Sequence, residues 1–168
     1  MRVYIPTTLA MLQRLVADGS LFPVGGTAFA VTPTLREAYA EGDDDELAEV
    51  ALRDAALGSL RLLASDDGEG SQALPLRRCV LVADVESAKP RPDLDDAVVR
   101  VSEPVALEDV LAVYVDIATA EPAVRAAVEV IDAADLGDED AELAVGDAQD
   151  HDLAWYATQE LPFLLDLL

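Results

Sequence analysis

The sequence predicts a single α+β domain over residues 1–168, with a mostly antiparallel or mixed sheet of about five strands, covered by helices, and a helical C-terminal segment. Three observations carry that prediction. Short β-prone runs and helical stretches follow the order strand, helix, strand, helix, three strands, helices, which lacks the regular alternation of a parallel α/β fold. The run from Arg77 to Ala83 is apolar beyond its two arginines, the pattern of a strand buried on both faces. No internal repeat or linker divides the chain, and a domain of 168 residues buries about 70% of its unfolded surface, enough for a core without a disulfide or metal.

In order, Arg2 to Ile5 is a β-prone run closed by Pro6, with Thr7 or Thr8 placed to cap the helix that follows. Leu9, Leu12, Leu15 and Val16 recur at helical spacing, and Asp18-Gly19-Ser20 ends that helix. A loop with Pro23 and Gly25-Gly26 leads to a second strand, Thr27 to Val31. Thr34 to Tyr39 reads as a short helix. A longer one runs from about Asp44 to Ala64, its leading acids set where the helix dipole is positive. Within it Gly58 and Ser59 lower helix propensity but permit close approach of a neighbouring backbone. Ser65 to Pro75 is a Gly-, Asp- and Ser-rich loop.

The strand at Arg77 to Ala83 should lie centrally in the sheet. After an exposed loop from Ser87 to Asp96, Ala97 to Val101 and Leu111 to Val115 read as two more strands, with a turn from Glu103 to Asp109 between them. Glu121-Pro122 opens a helix reaching about Ala134; Gly137 suits its exit and Asp138 the next N-cap. Asp138 to Ala148, and then Asp150 to the end, are expected to be helical, with Pro162 interrupting.

Composition excludes whole classes of function. The net charge is −23, from 34 acids against 11 bases, and no Lys or Arg follows Arg125. Such a field repels phosphate backbones and anionic lipid, so neither direct nucleic-acid binding nor membrane attachment is expected. The N-terminal segment has no signal-peptide pattern and no apolar run approaches a membrane span, which points to the cytoplasm. A lone cysteine, Cys79, permits no intramolecular disulfide and no paired-cysteine zinc site.

Candidate chemistry is sparse. Asp84 and Asp116 each end a strand; on parallel neighbouring strands they would meet at one sheet edge, where a small carboxylate- or metal-dependent hydrolase could use them. An Asp after a strand more often starts a turn, and the missing crossover helix speaks against parallel pairing. Asp43 to Glu46 and Asp135 to Glu142 are rich in oxygen ligands but lack the spacing of a calcium loop, and serve better as helix N-terminal acids. Cys79 and His151 could form a thiolate–imidazole pair, but a thiol inside a buried strand is a packing residue. No motif for a cofactor is present.

His151 and Trp155, the only His and Trp, would share one face of the expected C-terminal helix. Trp155, Tyr156, Leu161, Phe163 and the leucines around them are expected chiefly as the last layer of the core. The alternative is an exposed interaction patch of His151, Trp155, Tyr156 and Phe163, rimmed by acid.

The segments RVYIPTT, TAFAVTPTLREAYAEGDDDELAE, DLGDEDAELAV and DLAWYATQELP together resemble a family of uncharacterised actinobacterial proteins, a domain of unknown function. The likeness spans nearly the full chain. It implies a cytoplasmic, single-domain protein from a GC-rich bacterium, and carries no activity, cofactor or site. The leading expectation is therefore a non-enzymatic interaction or regulatory domain with a strongly acidic surface. Its expected partners are a basic protein or a second copy of the chain.

Overall fold

The computed structural model describes residues 1–65 and 74–168, so most of the loop expected at Ser65 to Pro75 lies outside the described residues. The first half contains β1 (Arg2–Thr7), α1 (Leu9–Asp18), β2 (Ser20–Leu21), β3 (Thr27–Phe29), α2 (Pro33–Ala38) and α3 (Asp44–Ser65). The central part contains β4 (Cys79–Asp84), β5 (Lys89–Pro90), β6 (Val98–Arg100), β7 (Val105–Ala106) and β8 (Val110–Asp116). The chain continues through α4 (Glu121–Asp135), α5 (Glu139–Gln149), β9 (Leu153–Ala157) and α6 (Leu161–Asp166).

Seven strands form one antiparallel sheet in the order β5-β6-β3-β1-β4-β8-β9, and β2 pairs with β7 in a separate two-stranded sheet. The α+β class holds, and the strand count rises above the expected five. Three of the additional strands, β2, β5 and β7, are only two residues long. Pieces that short carry no periodicity and exist because a partner strand lies alongside. β4 is central as expected, with Cys79 to Ala83 all buried.

Alternation along the strands sorts the core onto two faces. On one face Val3, Ile5, Leu81 and Val113 pack under α1 and α6, which contribute Leu12, Leu15, Leu161 and Leu164. On the other face Tyr4, Val80, Val82 and Ala112 meet the small residues Ala51, Ala55 and Ala56 of α3. Behind α3, Leu60 joins Val124, Ala127 and Ile131 of α4 and Ala148 of α5 in a helical layer. Local chemistry sets the helix ends: Thr8 and Asp138 accept hydrogen bonds from the backbone of Met11 and Ala141, and Gly137 turns α4 into α5 at φ +96.

β1 does not stop at Pro6 but runs to Thr7 in register with β4. β3 reaches β1 only at Tyr4↔Phe29, so near Pro6 the ladder on that side has already ended. Pro6 instead packs on α3, where a Cβ on Gly58 would stand 2.7 Å from its ring. The next residue, Ser59, donates to the Thr7 carbonyl (2.7 Å) and accepts from the Cys79 amide (3.0 Å), fastening α3 across two strands. Gly58→Ala should therefore destabilise the protein by about 1–3 kcal/mol from overpacking, outweighing a helix-propensity gain of about 1 kcal/mol. Urea unfolding checks this, and a variant as stable as the parent would refute the close approach.

Candidate functional site

The last strand reverses an expectation. Asp150 to the end is not one helical stretch, because Leu153–Ala157 forms β9 on the outer side of β8 and only Leu161–Asp166 is helical beyond it. His151 and Trp155 therefore share no helix face; His151 lies in the bend before β9 and Trp155 at its centre. The Leu-Ala-Trp-Tyr-Ala run is short and weakly patterned, and pairing with the open side of β8 decides its conformation.

What holds the bend is Arg78, 2% exposed, at the start of β4. Its Nε donates to Asp116 Oδ2 (2.9 Å) and its Nη2 to Asp116 Oδ1 (2.7 Å), while its own amide donates to Oδ2 (2.8 Å). Nη2 also donates to the His151 carbonyl (2.7 Å), and Nη1 to Gln149 Oε1 (3.0 Å). Gln149 in turn donates to the Arg53 carbonyl of α3 (3.0 Å), and Arg53 Nη1 donates to the Gln149 carbonyl (3.3 Å). One guanidinium thus ties β4, β8, the end of α5 and the entry to β9, with α3 one hydrogen bond further on. Sequence reading placed Arg78 only as the prefix of an apolar strand and did not identify this role. The available signal was a charge directly before a doubly buried strand, which requires a buried partner.

Above this network a cleft of about 290 Å³ opens between α3 and β9, with Arg78 and Gln149 among its lining. Glu49, Leu52 and Arg53 of α3 face His151, Asp152 and Leu153 across it. Next to Leu153 along the α3 face of the sheet comes Trp155, opposite Tyr114 on β8. The Tyr114 phenol is held above its ordinary value by burial and then by the Glu49 carboxylate, with Arg2 opposing, which places Glu49 near this aromatic row.

The candidate patch of His151, Trp155, Tyr156 and Phe163 divides. His151 and Trp155 lie toward α3, whereas Tyr156 packs against the core beneath α1 and α6, on the opposite face of the sheet. Phe163 projects from α6, whose Leu161 and Leu164 enter that same core. Trp155 is 57% exposed and Phe163 72% exposed. The expectation that both are core fails, because β9 is an edge strand and α6 is too short to bury more than one side.

The two-carboxylate arrangement does not form. β4 and β8 run antiparallel, so Asp116 lies beside Arg78 at one end of β4 and Asp84 at the other, about 20 Å away at about 3.3 Å per residue. Asp116 is fully buried in its ion pair, and exposed Asp84 receives a hydrogen bond from the Met1 ammonium (3.1 Å). Cys79 is fully buried, and burial drives its thiol far above the ordinary range, so it is a packing residue and not the thiolate of a pair with His151. The acidic runs serve helix ends and surface ion pairs. Asp43 accepts from the Glu46 amide, Asp44 pairs with Arg36, and Asp135 receives both ends of the Arg61 guanidinium. Among the described residues no three His, Cys, Asp or Glu side chains converge to hold a metal.

Two outcomes follow. Removing the charge of Asp116 strands a buried guanidinium, so Asp116→Asn should cost about 3–5 kcal/mol in urea unfolding, while the paired change Arg78→Met with Asp116→Leu should cost less. Equal losses in the two proteins would refute the latch. Asp54 on α3 is pushed up to about 6, first by burial and then by Asp95, with Arg53 and Arg61 opposing. Its folded value lies above the ordinary carboxylate value of 3.8, so the folded state holds the proton more tightly and stability falls as pH rises from about 4 to about 6. Asp54→Asn should flatten that part of the stability–pH curve and raise Tm above pH 6; an unchanged difference between parent and variant across the window would refute the burial of Asp54.

Neither the curated proteins nor the solved structures include a match to this chain. A family of unknown function (DUF6912) matches residues 1–165, which is nearly the whole chain and includes the Arg78 latch, the cleft and β9. The chain belongs to that family.

Proposed function

We propose that the protein is a non-enzymatic interaction or regulatory domain whose acidic surface engages a basic protein partner. The observation that carries this reading is the exposure of Trp155 and Phe163, 57% and 72%, on a chain of net charge −23. Large aromatic side chains are enriched at protein interfaces and serve there as anchors when an approaching partner removes them from water. The acids around them, Asp150, Asp152, Glu160 and Asp166, are all exposed. Their field would attract a basic surface over about a Debye length and speed its encounter.

A cytoplasmic place of action goes with this reading. It is supported by the single, buried, unpaired thiol of Cys79, and among the described residues no helix is long and apolar enough to cross a membrane.

The experiment is affinity capture with the immobilised chain at low and at high salt, run beside Trp155→Ala and Phe163→Ala. The expected result is a basic protein captured by the parent, lost at high salt and depleted by at least one variant. Capture that is identical for parent and both variants, or indifferent to salt, would overturn the reading.

A further inference from the structure

We propose that the outer edge of β9 receives an extended basic segment of a partner protein, which adds as an eighth strand and lays a Lys or Arg side chain over Trp155 and Tyr114. This rests on the interaction reading above and specifies its surface and mode.

The backbone argument starts at Asp116. Its amide donates to the Arg78 carbonyl (3.1 Å), so the backbone groups of Asp116, Tyr114 and Ala112 face β4, and those of Val115 and Val113 face β9. In the observed register Val115 opposes Ala154 and Val113 opposes Tyr156, which makes those the hydrogen-bonded pairs. The amides and carbonyls of Leu153 and Trp155 consequently point away from the sheet. The Ala157 amide points the same way and confirms the phase, since it donates to Glu160 Oε1 (3.3 Å). That bond closes the far end of the edge and, among the described residues, leaves Leu153 and Trp155 as its open ladder positions.

The other edge of the sheet is protected. β5 consists of Lys89 and Pro90, a charge and a residue without an amide hydrogen, the usual means of preventing edge pairing. β9 is apolar, longer, and carries neither. An unguarded edge beside an exposed tryptophan is the geometry used for strand addition, where backbone bonds supply affinity and alternate side chains supply selectivity.

The side chains favour a cation. Tyr114 and Trp155 form a non-hydrogen-bonded pair, the closer kind, with Cα atoms about 4.5 Å apart, so their rings adjoin on one face. Glu49 and Asp152 line the adjoining cleft; of the arginines nearby, Arg78 is buried in its ion pair with Asp116, while Arg53 shares the lining and Arg2 acts on Tyr114 from β1. An aromatic face bordered by carboxylates attracts Arg or Lys both through the ring quadrupole and through charge. A second copy of the chain fits poorly: antiparallel self-pairing centred on Trp155 brings together the acidic flanks of the two strands, Asp150 and Asp152 before β9 and Glu160 after it, with no base after Arg125 to offset them.

The test titrates the full chain with a short peptide of alternating Arg and Val, and with its Glu-for-Arg counterpart, following the fluorescence of the single tryptophan and the exchange of backbone amides. The expected result is a saturable change with the Arg peptide alone, weakened by salt, and slowed exchange at Leu153 and Trp155. Trp155→Ala should weaken binding roughly fivefold, Trp155→Tyr should restore most of it, and Phe163→Ala should leave it unchanged. Salt-sensitive binding without protection of those two amides would overturn the edge site while leaving an acidic interaction surface standing. No saturable binding of the Arg peptide would overturn both. Protection of the two amides in the chain alone, rising with its concentration, would name a second copy as the occupant and overturn the basic-segment proposal.

Discussion

The Arg78–Asp116 pair is the interaction on which the C-terminal half of the structure depends. Two ions removed from water gain little net stability unless every remaining donor and acceptor is met, and here the carboxylate accepts three hydrogen bonds while the guanidinium reaches two further oxygens. The energetic gain is modest beside the geometric one. The pair fixes the end of β8 against the start of β4, and through Gln149 and the His151 carbonyl it dictates where the chain leaves α5. β9 lies alongside β8 through its ladder and the packing of Tyr156, and the held bend sets where that ladder begins.

That placement accounts for the division of the C-terminal residues. With β9 at the sheet edge, alternation sends Trp155 toward α3 and Tyr156 into the core under α1 and α6. A helix would have kept His151 and Trp155 on one side and spread the aromatics around its circumference. The strand instead gathers an indole, a phenol and two carboxylates at the lip of a cleft whose floor is the ion-paired network. The fold's rigid part and its exposed part thus meet within a few residues.

Much of the fold was legible because the determinants were local. The unbroken apolar run of β4, the acid-led α3, the caps at Thr8 and Asp138 and the turn at Gly137 each depend on residues a few positions apart. Gly58 and Ser59 were readable as a point of close approach, though not as contacts of Pro6, Thr7 and Cys79. What was illegible depended on partners far along the chain. β9 needs the free side of β8, β5 needs β6, and β2 and β7 need each other. The separation of Asp84 from Asp116 follows from strand direction, which no residue near either carboxylate encodes. Arg78 was missed because the sequence marks a charge but not the depth at which it lies, and the exposure of Trp155 stood only as the alternative because an apolar run implies burial only where a layer remains to cover it.

The central position of β1 has a kinetic consequence. It pairs with β4 from Arg2↔Asp84 to Thr7↔Cys79, so the middle of the sheet is assembled from segments separated by more than half the length from Met1 to Asp116. Closing such a loop is slow relative to forming helices, and the chain's Val-Tyr-Ile strand stays unpaired on the β4 side until that segment arrives. During the interval it is a hazard for intermolecular pairing. The net charge of −23 would keep unfinished copies apart by repulsion, so the excess of acid acts on the folding chain before the finished surface forms.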